Sequence, residues 1–254
     1  MHRFPTQETV LLILQTSILT GLVVRVLMTG LFRTYPWFFG YLLMASLQTL
    51  ILPFLPFNSA IYLYTWAVSQ GLLTCFCALI VLELYSLILR DLTGLATSSR
   101  RYIKICLGVA TLGSLLVLLV EQTPNVAFDA FMIIDRAILT SLLIFVLLLT
   151  AFLIYYPVPI NRNLVVYSIG YAVYFTAKMS GLLAVNITHA WYHQFGLIAV
   201  AASTVSMLFW LVGLSRRGEE KTLVIGHRWN REDQDRVLER LKALNASLLR
   251  AGKK

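Results

Sequence analysis

Residues 130–155 read AFMIIDRAILTSLLIFVLLLTAFLIY, a run in which Asp135 and Arg136 are the only charged groups. A bilayer-spanning helix needs about 20 consecutive apolar residues, so this run reads as a membrane span. Six further runs of the same kind flank it, at about 9–30, 37–57, 60–89, 103–120, 164–186 and 194–214. Short connections rich in Pro, Asn and charge separate them, among them Arg33-Thr34-Tyr35-Pro36 and Pro157-Val158-Pro159.

The composition agrees. Of 254 residues, 58% are hydrophobic and 13% charged, with a mean hydropathy of +0.76, against roughly 45–50% apolar residues in a soluble domain. A soluble protein is excluded, and no large soluble domain fits beside the spans. The expected fold is an all-α integral membrane protein. A seven-transmembrane-helix bundle fills residues 1–214, and a basic tail follows at 215–254.

The chain carries 21 Lys+Arg against 12 Asp+Glu, a formal +9, and in a membrane protein that excess speaks to topology, not to nucleic acid. Alternate connections fall into two charge classes. One holds Arg25, Arg33, Arg90, Arg100, Arg101, Lys104, Arg162 and the tail; the other holds Arg3, Glu8, Glu121 and Asp129. The positive-inside rule then puts the N-terminus outside and the tail in the cytoplasm. The first run has no small-x-small cleavage site and Arg25 lies on its far flank, so it reads as a retained helix. Compact loops and the absence of targeting signals point to a bacterial inner membrane. Cys75, Cys77 and Cys106 fall within or at the edge of spans, where packing is the expected role.

A charge at membrane depth is costly and normally faces the bundle interior with a partner. Lys178 is the most informative such residue. Tyr167, Tyr171 and Tyr174 precede it at intervals that put all four on one helical face. Such a stripe can line an outward-facing polar pocket for a small ligand or hold a structural ion pair. Asp135 is the expected partner, turned inward, with Arg136 at the interface. Glu83 is the second buried acid, expected to pair with Arg25 or Arg90 or to serve a proton relay. Gln70 lies on a weaker polar stripe of the third span with Tyr62, Trp66, Ser69, Thr74 and Cys77. Thr16, Thr20, Gln48, Thr49, Ser203 and Ser206 mark other spans, where such residues often join helices.

No catalytic motif is complete: there is no P-loop, H-E-x-x-H or G-x-S-x-G. His189 and His193 have the i, i+4 spacing of a metal-chelating pair but lack an evident third ligand. No cofactor is expected. In the tail, Asn230 is a plausible N-cap for a helix over about 231–250, with Val237, Leu241, Leu244 and Leu248 on one face. That face suits docking on the bundle or membrane, a homodimer or a cytoplasmic partner. Ser215-Arg216-Arg217 should meet anionic lipid at the cytoplasmic face. The leading functional expectation is a non-enzymatic seven-helix receptor or sensor that binds a small ligand and signals through a partner. A transporter or channel and a membrane scaffold or assembly subunit are the alternatives.

Overall fold

A computed structural model describes residues 6–56, 59–89, 126–155, 159–187, 192–220 and 222–224, together with 236, 239, 240, 243, 246 and 247 in the tail. The described chain is nearly all helical. Its long helices are α1 (Thr6–Thr29), α2 (Pro36–Ile51), α3 (Ala60–Ile88), α4 (Val126–Tyr155), α5 (Arg162–Ile187) and α6 (Tyr192–Gly213). A short helix, α7 (Arg216–Glu220), and two three-residue strands, β1 (Pro159–Asn161) and β2 (Thr222–Val224), follow the bundle's connections. The expected span at 103–120 and the apolar face of the tail helix (Val237, Leu241, Leu244, Leu248) lie outside the described residues.

Local chemistry accounts for the breaks. Gly30 takes a left-handed conformation (φ 73°) that ends α1, a geometry that costs L-residues with a Cβ roughly 1–2 kcal/mol. Pro36 opens α2 at the position where a missing N–H costs nothing. Ser59 caps α3 by accepting from the Tyr62 amide at 3.1 Å.

Among the described residues, four helices are long and apolar enough to cross a membrane: Val10–Thr29, Pro36–Phe54, Ala60–Ile88 and Ile134–Leu153; Val200–Gly213 is a shorter apolar helix. The protein is thus an all-α membrane protein in class. Helix α5 is long enough to span, but its tyrosines, serines and lysine lower its hydropathy, and Tyr167, Ser168, Tyr171 and Tyr174 are buried in the bundle. Outward faces carry Met28, Phe54 and Val212, each more than two-thirds exposed, as suits surfaces that meet lipid.

The described long helices close into a ring in which each packs on the next and α6 returns to α1. Most neighbours are antiparallel, but α3 and α4 run parallel. Trp66 packs on Phe131, Thr74 on Asp135 and Tyr85 on Phe145, in the same order along both helices. Helices α1 and α6 are likewise parallel, with Gly21 beside Leu211 and Arg25 Nε donating to the Leu214 carbonyl at 3.0 Å. Small residues permit the closest approaches. The Trp210 indole lies against Gly170 so tightly that any Cβ there would collide with it, and a Cβ on Gly213 would meet Val166 at 2.6 Å.

One element departs from the purely helical expectation. Strands β1 and β2 pair antiparallel, with Pro159 opposite Val224 and Asn161 opposite Thr222. Residues Thr222 to Val224 thereby bind the chain just after Gly213 back to the α4–α5 connection.

Candidate functional site

The ring leaves a cavity of about 250 Å³ near one end of the bundle, between α1, α2, α3, α5 and α6. Lys178, Tyr174, Tyr41 and Gln70 supply much of its polar wall, and Leu19, Ala45, Leu73 and Met207 much of its apolar wall. The phenol oxygens of Tyr41 and Tyr174 are hydrogen-bonded at 2.6 Å. The half-buried Lys178 places Nζ 5.9 Å from the centre of the Tyr174 ring, within reach of a cation–π attraction.

Asp135 is buried, as expected, but its partners differ from the expected ion pair. Its carboxylate accepts from the Gln70 amide at 3.2 Å and from the Thr74 hydroxyl. Among the described residues it makes no ion pair with Lys178 within 4.0 Å. It sits behind Gln70 and does not line the cavity. The acid therefore orients Gln70 from the rear while the ammonium faces open space. Gln48, also in the wall, donates to Ser69 at 2.9 Å and ties α2 to α3.

Below the cavity the aromatic side chains form a continuous column. Tyr174 meets Tyr171 at 6.3 Å between ring centres, Tyr171 meets Tyr167 at 5.0 Å, and Tyr167 meets Tyr35 at 4.9 Å. Trp210 packs on Tyr171 at 4.6 Å and Phe38 on Tyr167 at 5.1 Å. The Tyr171 hydroxyl and the Trp210 indole N–H are buried without hydrogen-bond partners among the described residues. Shape, not polar pairing, holds the middle of the column.

Glu83 belongs to the column's far end. Its carboxylate accepts from the Trp37 backbone amide and from the Tyr167 hydroxyl, each at 3.3 Å. Helix α2 has no side-chain cap of its own at Tyr35, so Glu83 supplies from α3 the acceptor that its first turn lacks. The expected pairing with Arg25 is not formed, since Arg25 caps the end of α6 through Leu214; Arg90 lies outside the described residues.

The same end holds a second polar cluster around Glu219 of α7. One carboxylate oxygen accepts from the Tyr35 hydroxyl and from the Asn163 amide, both at 2.7 Å; the other accepts from Asn161 at 3.2 Å. Asn163 also donates to the Ser215 carbonyl at 2.7 Å and accepts from the Ser215 amide at 3.2 Å. Burial, followed by the nearby Glu219 charge, holds the Tyr35 phenol well above the ordinary range for tyrosine. Helix starts, the β1 strand and the first tail residues thus meet on one carboxylate.

Of the residues singled out from sequence, Lys178, Tyr174 and Gln70 converge on the cavity, Asp135 supports it, and Tyr171, Tyr167 and Glu83 continue the column. His189 and the His193 side chain lie outside the described residues, and no group of three His, Cys, Asp or Glu suited to a metal occurs among the described residues. Tyr41 and Gln15 also line the cavity and were not anticipated; each is a polar group inside an apolar run, the signal by which it was findable. Comparison with family models, curated proteins and solved structures finds no match to the chain.

Proposed function

We propose that the chain is a seven-helix membrane receptor or sensor, with its N-terminus outside and its tail in the cytoplasm of a bacterial inner membrane. It binds a small ligand in the cavity at Lys178 and passes a helix shift to the tail. Two features support the span count and orientation. The parallel packing of α3 and α4 is the arrangement that the expected span at 103–120 calls for. Arg25, Arg33, Arg162, Arg216 and Arg217 gather at the end where the tail begins, as the positive-inside rule asks.

The observation that carries the functional reading is the column joining the two ends. An open, positively charged cavity at one end connects through Tyr174, Tyr171 and Tyr167 to Tyr35 and Glu219 at the other. A ligand shifts such a bundle only if it binds two of its states unequally. The close packing of Trp210 on Gly170 and Tyr171 makes α5 and α6 one unit through which a displacement travels. The buried Tyr171 and Trp210 rings pack next to the cavity-lining Tyr174, and such dense packing favours a receptor over a transport path.

The test needs no ligand. Ala45→Trp fills the cavity from α2, and amide hydrogen exchange at Thr222–Val224 is compared with wild type. A sensor changes exchange at this distant strip by severalfold. A scaffold leaves it unchanged, and that result would overturn the reading. Flux through proteoliposomes that disappears in Lys178→Ala would instead establish transport.

A further inference from the structure

Lys178 supplies the only formal charge among the described residues that line the cavity. Its natural counter-ion inside the protein, Asp135, is already engaged by Thr74 and Gln70 and stands outside the lining. An ammonium at membrane depth is costly to keep without a partner, and Tyr174 offers it a ring face and a hydroxyl but no compensating charge.

The Tyr41–Tyr174 pair adds a second donor. Two phenols carry two protons, and the 2.6 Å bond between their oxygens uses one of them. The remaining proton is free to bond an acceptor in the cavity. At one end, then, the site offers an ammonium and a phenol O–H, both of which need an acceptor. Away from it, Leu19, Leu73 and Met207 offer apolar contact.

We infer that the cavity binds a small monocarboxylate, its carboxylate held by Lys178 and the Tyr41–Tyr174 pair and its short apolar body lying against Leu19, Leu73 and Met207. This rests on the cavity reading given above. A single lysine balances a single negative charge. Phosphate-type dianions are commonly met by forked arginines, and no arginine is among the described lining residues. The volume of about 250 Å³ falls below the roughly 300–1,000 Å³ of sites for drug-sized ligands, so the body is of benzene-ring or short-alkyl size.

Benzoate and hexanoate are the probes, with benzamide and hexanamide as neutral counterparts, and affinity is read from the dose dependence of thermal unfolding of the full chain in detergent. Wild type should bind the carboxylates at least about tenfold more tightly than the amides, the loss expected when a charged hydrogen bond is removed. Lys178→Met should erase that preference while the protein still unfolds cooperatively, and Ala45→Trp should abolish binding of all four. Equal affinity for acids and amides, lost together in Ala45→Trp, overturns the carboxylate assignment and leaves the cavity reading standing. Failure of all four probes up to about 10 mM also overturns the assignment, and the exchange experiment on Ala45→Trp then decides the cavity reading separately. Carboxylate binding that survives Ala45→Trp moves the anion to another site and overturns the inference.

Discussion

The two ends of the bundle handle charge in opposite ways. At the tail end Glu219 accepts three hydrogen bonds from Tyr35, Asn163 and Asn161, and Glu83 accepts from the start of α2 and from Tyr167. At the cavity end the acid and the base are kept apart: Asp135 is satisfied by neutral donors and Lys178 faces open space. A closed set of partners fixes geometry, whereas an open charge retains the capacity to bind. The difference separates a region whose chemistry is complete within the chain from one that still lacks an acceptor.

Mutation should expose this asymmetry. The largest effect is expected for Glu219→Ala, which leaves three donors without their acceptor and should cost about 3 kcal/mol, the scale of losing hydrogen bonds to a charged group. Unfolding in mild detergent measures it, and a loss under about 0.5 kcal/mol would mean that the cluster is not a closed set. Gly218→Ala comes next. Its Cβ would collide with the Asn163 amide, and an overpacked contact of this kind costs about 1–3 kcal/mol. The same substitution at Gly21, whose nearest neighbour would be Leu211 at 3.9 Å, serves as the control and should be tolerated.

Tyr35→Phe should cost about 1 kcal/mol near neutrality and change the response to alkali. The folded protein holds the phenol proton well above the usual value, first through burial and then through the Glu219 charge. That contribution is whole below the ordinary phenol value of about 10 and is lost as pH rises beyond it, because the unfolded chain then ionises first. Thermal unfolding at pH 8 and about pH 11 should therefore drop less in Tyr35→Phe than in wild type; equal drops would place the alkaline sensitivity elsewhere. The smallest effect is expected for Lys178→Met. Removing a charge that no carboxylate pairs should change stability by no more than about 0.5 kcal/mol, or raise it. A loss of several kcal/mol would make Lys178 as structural as Glu219 and would erase the contrast between the ends.

The long helices were legible because hydropathy summed over about 20 residues is a strong signal, and the Tyr167–Lys178 face because helical periodicity needs no tertiary knowledge. The inward turn of Asp135 followed from the cost of burying charge. Its partners did not, since Gln70 and Thr74 stand more than sixty positions upstream and meet it only once α3 and α4 pack in parallel. Charge alone pointed Glu83 to Arg25 or Arg90 or to a proton relay; of these Arg25 bonds Leu214 instead, and Glu83 accepts from the Trp37 amide at the start of α2, a partner that only the packing of α2 on α3 reveals. The Glu219 cluster was least visible. Asn161, Asn163 and Glu219 are ordinary surface residue types, and they meet because a three-residue strand containing a proline pairs with another of the same length, too short a pattern to stand out.

That strand pair has a kinetic consequence. By joining Pro159 to Val224 it turns β1, α5, α6, α7 and β2 into a closed cycle, with its ends clipped by backbone hydrogen bonds and its two long helices making the most extensive helix contact among the described residues. Contacts within the segment thus form one contiguous set, the kind of unit that opens locally as a whole.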